Sequence, residues 1–176
     1  MKSTGIIRRI DELGRIVIPK EIRKSMHIKE GENIEIFIDS DNIILRKFSM
    51  LKNISDIAQN LVDSLYNTLK CNIIITDTNT IISTNSKIKK DLIDKNLSSN
   101  LLLYINRKDK FIESNRGILQ ITDDFFVECF SIITPIFVNG DINGLLILYG
   151  NDNDNIGNNS SLISFVSNFF ENYLSE

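Results

Sequence analysis

Apolar and polar positions change period several times along this 176-residue chain, and each change marks a different element. Near the amino terminus, GIIRRI (5–10) and RIVI (15–18) are short runs rich in β-branched residues, separated by Asp11, Glu12 and Gly14, the residues of a tight turn. They predict two strands. Pro19 follows at once; it cannot donate to a ladder, but its fixed φ and missing N–H suit the first position of a helix, expected over 19–27. In IKEGENIEIFIDSDNIILRKF (28–48), Ile34, Ile36 and Ile38 alternate with Glu35, Phe37 and Asp39, which predicts a hairpin turning at residues 39–42.

The period then lengthens. Ile54, Ile57, Ala58, Leu61, Val62, Leu65, Tyr66 and Leu69 recur at helical spacing, predicting a long amphipathic helix capped by Ser55. At the other end Leu162, Phe165, Val166, Phe169, Phe170, Tyr173 and Leu174 keep the same spacing, so the two helices are natural packing partners. Their stripes suit either an intramolecular core or a helical bundle with a second subunit. Between them NIIITDTNTIIST (72–84) predicts strand, turn and strand, followed by a polar lysine-rich segment and a helix at SSNLLLYI (98–105). GILQITD (117–123) and VECFSIITPIF (127–137) predict strands, and VNGDINGLLILYG (138–150) a hairpin turning at Asn139-Gly140-Asp141, with Gly144 ahead of a buried strand. The fold class is therefore α+β: a β-rich domain over 1–50, a boundary near Phe48 to Asn53, and a helix-covered sheet over 54–176. A unit of about 50 residues buries too little surface to be comfortable alone, so a dimer is expected.

Charge sharpens the division. The whole chain carries a net −3, yet through residue 30 eight Lys/Arg face four Asp/Glu, a local +4 that leaves −7 for the remainder. A basic binding module joined to an acidic domain shows this segregation. In the short helix Lys20, Arg23, Lys24 and His27 fall at i, i+3, i+4 and i+7, while Ile22 and Met26 share another face. Arg8 and Arg9 lie in the preceding extended run and Arg15 begins the next, so a hairpin packed with the helix places all of them within reach of one surface. A solvated face is the plain reading of one such cluster; three neighbouring segments favour nucleic acid. No run of about 18 apolar residues occurs and MKSTGIIRR lacks a signal-peptide core, so a soluble, cytoplasmic protein without membrane association is expected. Cys71 and Cys129 are isolated and there is one histidine, which indicates no metal site, disulfide framework, catalytic set or evident cofactor, and no enzyme. Asp77, Asp123 and Asp124 stand at strand ends, as solvated residues or as pocket liners.

The stretch TGIIRRIDELGRIVIPKEIRKSMHIKEGENIEIF (4–37) resembles the AbrB-type swapped-hairpin DNA-binding domain, a likeness that covers residues 1–50. The resemblance implies that two subunits interleave their hairpins into one barrel-like dimer on double-stranded DNA. Family contacts in the first strand, at the start of the second and on the short helix carry over to Arg8, Arg15 and Arg23, with Lys24 where a further arginine is common and Arg9 and Lys20 completing the basic surface. Lysine keeps the charge but loses the planar fork that grips a guanine edge or phosphate bidentately. His27 is expected to pack or fill a hydrogen bond. The segment ITPIFVNGDINGLLILYG (133–150) resembles part of a GAF domain, which implies an oligomerisation scaffold or small-molecule sensor with an unassigned ligand. The whole chain is similar to a transcription regulator of spore-forming bacteria, which implies control of forespore genes by a homotetramer joined through the second domain and its helices. Two rivals come from the same resemblances: related swapped-hairpin domains serve as antitoxins, and some GAF-fold proteins reduce methionine sulfoxide with reactive cysteines.

Overall fold

The structure, a computed structural model, describes residues 4–85, 89–107, 109–151 and 156–175. The chain divides into two compact units, Met1–Phe48 and Ser49–Glu176.

In the first unit, a turn closes over residues 11–15 through bonds from the Asp11 N–H to the Arg15 carbonyl (3.0 Å) and from the Gly14 N–H to the Asp11 carbonyl (2.9 Å). The strands expected at 5–10 and 15–18 do not form: neither segment has a ladder partner among the described residues, and a strand is defined by its partner. Helix α1 spans Lys20–Ser25. Pro19 sits one place earlier than expected, as the N-cap, because its ψ of 148° is extended while its carbonyl accepts the Arg23 N–H at 2.9 Å. The helix ends in paired reverse bonds, from the His27 N–H to the Lys24 carbonyl (3.2 Å) and from the Ile28 N–H to the Arg23 carbonyl (2.8 Å). This closure puts His27 at φ 51°, a left-handed conformation that usually falls to glycine. His27→Gly is expected to raise stability by about 0.5–1 kcal/mol, read as a higher urea midpoint; an unchanged or lower midpoint would show that the imidazole contributes more than the backbone strain costs.

Strands β1 (Ile34–Asp39) and β2 (Asn42–Lys47) pair antiparallel around Ser40 and Asp41, as the alternation predicts. Lys47 ties this hairpin to the helix end: its Nζ reaches the Glu32 carboxylate at 3.0 Å and the His27 carbonyl at 3.1 Å, and Glu32 also accepts the Lys29 N–H at 2.8 Å. The isoleucine face is left open, however, with Ile36 66% and Ile38 83% exposed and Ile7, Ile10 and Val17 likewise uncovered. Among the unit's described residues nothing covers that face.

The second unit opens with α2 (Met50–Asn53), whose N-cap Ser49 accepts the Lys52 N–H, and α3 (Ser55–Leu69). Ser55 is thus the first residue of the long helix and not its cap; Ile54 holds the cap position without a side-chain bond. Strands β3 (Asn72–Thr76) and β4 (Ile81–Thr84) follow, then α4 (Lys89–Leu92) and α5 (Ser99–Ile105), the last capped by Ser98. The lysine-rich segment expected between β4 and α5 lies partly outside the described residues, at 86–88. Three long strands, β5 (Glu113–Gln120), β6 (Phe126–Val138) and β7 (Asp141–Gly150), a 3-10 turn at Ile156–Asn159 and α6 (Ser160–Ser175) complete the chain. The sheet order is β4-β3-β7-β6-β5, antiparallel throughout, and Asn139 and Gly140 at φ 52° and 88° form the tight turn between β6 and β7.

Alternation along the strands builds a core on each face. Ile73, Ile75, Leu146 and Leu148 join Leu51, Ala58, Val62, Val166 and Phe170 on one side; Ile74, Ile133, Leu145 and Ile147 join Leu97, Leu101 and Ile105 on the other. The two long helices are not primarily each other's partners: α3 lies on β3 and β4 and α6 on β6, sharing one cluster through the sheet. The buried side of α6 is Ile163, Val166, Ser167 and Phe170, so the aromatic part of its stripe (Phe165, Phe169, Tyr173) stays exposed. No helix among the described residues is long and apolar enough to cross a membrane.

Candidate nucleic-acid interface

All six cations singled out in the sequence are exposed. Arg8 and Arg9 lie in the unpaired extended segment; Lys20, Arg23 and Lys24 share one side of α1 at i, i+3 and i+4. Arg15 closes the 11–15 turn, and it alone of the six is paired: its Nε donates to Asp11 Oδ2 at 2.8 Å. Among the described residues the other five side chains make no hydrogen bond or ion pair. Unpaired cations on a surface are the electrostatic requirement for releasing counterions from a phosphate backbone.

Asp11 was legible in the sequence only as a turn residue, although its spacing of four from Arg15 is an ion-pair signal. Its Oδ1 accepts the Leu13 N–H at 3.0 Å and the Arg15 N–H at 2.8 Å while Oδ2 takes the guanidinium. The Arg15 backbone N–H first, and then its guanidinium, hold the Asp11 carboxyl below its ordinary value of 3.8. Because the folded value is the lower one, these bonds stabilise the turn fully above pH 3.8 and are lost as pH falls through the depressed value.

In the second unit a cavity of about 580 Å³ opens between α5 and β5. Arg107 spans its polar end, reaching Glu113 at 2.8 Å and Asp109 at 3.0 Å with its guanidinium 4.0 Å from the Phe111 ring centre. The Tyr104 hydroxyl donates to Glu113 at 2.9 Å, and burial, with Glu113 second, pushes its ionisation up. None of these residues was legible as a site, since they meet only when α5 folds over β5. The acidic residues considered as pocket liners lie elsewhere: Asp123 and Asp124 are exposed, and Asp77 Oδ1 holds a turn through the N–H groups of Asn79 (2.7 Å) and Thr80 (2.6 Å). Cys71 and Cys129 are both buried, and desolvation pushes the Cys129 thiol up, away from reactivity.

Residues 53–172 match the family described as stage V sporulation protein T C-terminal, transcription factor. Residues 7–49 match the family described as antidote-toxin recognition MazE, bacterial antitoxin. Over 154 residues the chain is 37% identical to stage V sporulation protein T of Bacillus subtilis (strain 168), an overlap covering 86% of each chain. It is also 54% identical over 48 residues to the transition state regulatory protein AbrB of the same organism, 27% of this chain and 50% of that protein. Among solved structures, the N-terminal DNA recognition domain of Bacillus subtilis AbrB is 53% identical with a TM-score of 0.25, covering 28% of this chain and 92% of that one. The GAF domain of Thermosynechococcus elongatus PixJ in its blue-light absorbing form is 15% identical with a TM-score of 0.49, covering 72% of this chain and 90% of that one. By the length of the family match and the extent of its likeness to the Bacillus protein, this chain belongs to the stage V sporulation protein T family of transcription factors.

Proposed function

We propose that this transcription factor binds double-stranded DNA as a homodimer through a domain spanning 1–50, with Arg8, Arg15, Arg23 and Lys24 as its principal contacts and Arg9 and Lys20 completing the basic surface. The observation that carries the reading is the first unit itself, which combines five exposed cations that have no partner among the described residues with an uncovered isoleucine face. Interleaving two hairpins covers that face and doubles the basic surface. The 53% identity of the first unit to the N-terminal DNA recognition domain of AbrB supports the same assignment. Four contacts per subunit make about eight per dimer, which sets a salt slope for DNA affinity near −7. Fluorescence anisotropy of duplex DNA against protein at several salt concentrations tests this; a slope near zero removes the reading.

The domain over 54–176 serves oligomerisation and sensing. The exposed stripe of Phe165, Phe169 and Tyr173 on α6 supports a tetramer formed by two such dimers. Phe165, 66% exposed, is free of the core, so Phe165→Glu is expected to halve the mass seen by light scattering while leaving the unfolding midpoint unchanged. An unaltered mass would remove α6 from the interface. The α5–β5 cavity suits a small-molecule effector, which alters DNA affinity only by binding one arrangement of the dimer better than another. In a spore-forming bacterium the protein acts in the cytoplasm, on forespore genes.

The match of residues 7–49 to an antitoxin description supports a second reading, a module that neutralises a toxin. A small toxin that co-purifies in fixed ratio and abolishes DNA binding would carry it.

A further inference from the structure

Affinity for phosphate alone gives no reason to hold Arg15 against a carboxylate. Asp11 Oδ2 occupies Nε at 2.8 Å, and the carboxylate is itself fixed because Oδ1 accepts the N–H groups of Leu13 and Arg15. A negative charge in that place repels a phosphate, which is charged, far more than a base edge, which is neutral. It also closes the side-on approach to the guanidinium and leaves the two Nη nitrogens, whose end-on spacing matches the O6 and N7 acceptors of guanine. With a side chain 71% exposed, Arg15 presents that end to solvent, whereas Arg8, Arg9 and Arg23 keep their whole charge. We infer that Asp11 is a positioning residue that sets Arg15 to read a guanine in the major groove while the unpaired cations supply phosphate affinity. The inference rests on the DNA-binding reading above and assigns the base-specific part of it.

Asp11→Asn separates this role from that of the turn. Asparagine keeps an Oδ1 acceptor for the two backbone N–H groups, but its Nδ2 is a donor and cannot receive Nε–H. Arg15→Lys leaves Asp11 in place and removes the fork, so it supplies an independent variant. The full-length protein is assayed by anisotropy on a duplex enriched from random sequence by the wild type, and on the same duplex with 7-deazaguanine, which lacks the N7 acceptor, in place of guanine. Wild type is expected to lose roughly tenfold in affinity on the deaza duplex, and both variants to bind the two duplexes within about twofold of each other. Asp11→Asn should lower the unfolding midpoint slightly, having lost the guanidinium bond, yet gain affinity for unrelated duplex, having shed a negative charge; a merely structural role predicts equal losses on every duplex. The inference is overturned if Asp11→Asn discriminates as the wild type does, or if wild type is indifferent to the deaza substitution. If wild type binds no duplex, the DNA-binding reading and this inference fall together.

Discussion

Gly144→Ala is expected to cost about 3 kcal/mol or more and to melt the middle of the second unit's sheet. Gly144 lies in β7, the central strand of five, opposite Ile136 where the β6–β7 register shifts. A Cβ built there falls inside contact distance of the Thr76 carbonyl oxygen, 3.0 Å from its carbon and 2.6 Å from Leu51 Cδ1. The leucine has room to rotate only by vacating a fully buried site. The carbonyl cannot yield without moving β3, since Thr76 pairs with Leu145 and its Oγ1 accepts the Leu145 N–H at 3.1 Å while donating to the Asp77 carbonyl at 2.8 Å. Glycine is therefore present for close approach of two backbones, not for an unusual φ. Hydrogen exchange should show protection lost first at β3 and β7, together with a lowered denaturant midpoint. A wild-type midpoint would mean that the strands separate at little cost and that Leu51 does not clamp them.

The double variant Arg15→Ala/Arg23→Ala is expected to weaken DNA binding roughly a thousandfold at moderate salt and to flatten the slope from about −7 to about −4. The arithmetic follows from symmetry: two contacts per subunit become four per dimer, each worth about 0.9 in the slope if made to phosphate. Both side chains are exposed and neither belongs to a core cluster, so circular dichroism should report an unchanged fold. The relative size of the two losses is informative. If Arg15 reads a base, the wild-type slope is itself nearer about −5 while the double variant still settles near about −4, so a large loss of affinity accompanies a small change of slope. A folded double variant that binds as the wild type does would leave the basic surface merely solvated and turn attention to protein partners.

Much of the fold was legible because the signals were local. The i, i+4 stripe over 54–69, the alternation over 34–38 and the Asn139-Gly140 turn each depend on neighbours along the chain, and each appears where its period put it. The misreadings came where the deciding atom lay far away in sequence. Ser55 has the chemistry of a cap, but Leu51 is drawn into the core, so helical structure starts earlier and Ser49 takes the capping role. The runs at 5–10 and 15–18 have strand composition and no strand, because neither finds a ladder partner among the described residues. On α6 the stripe was correct in period, yet which side met the sheet was settled by β6, with Ser167 Oγ donating to the Pro135 carbonyl at 2.6 Å and Phe165 turned outward.

The sequence by itself determined the helical stripes and the hairpins, and proposed the candidate cations, since composition and period act over a few residues. Only the tertiary structure decided that Arg15, of the six candidate cations, is held by a carboxylate, that Asp77 serves a turn, and that Tyr104, Arg107 and Glu113 meet beside a cavity. The physical reason is range: helical and strand periods are set by bonds between near neighbours, whereas pairing and enclosure depend on distances that exist only after the sheet has brought remote segments together.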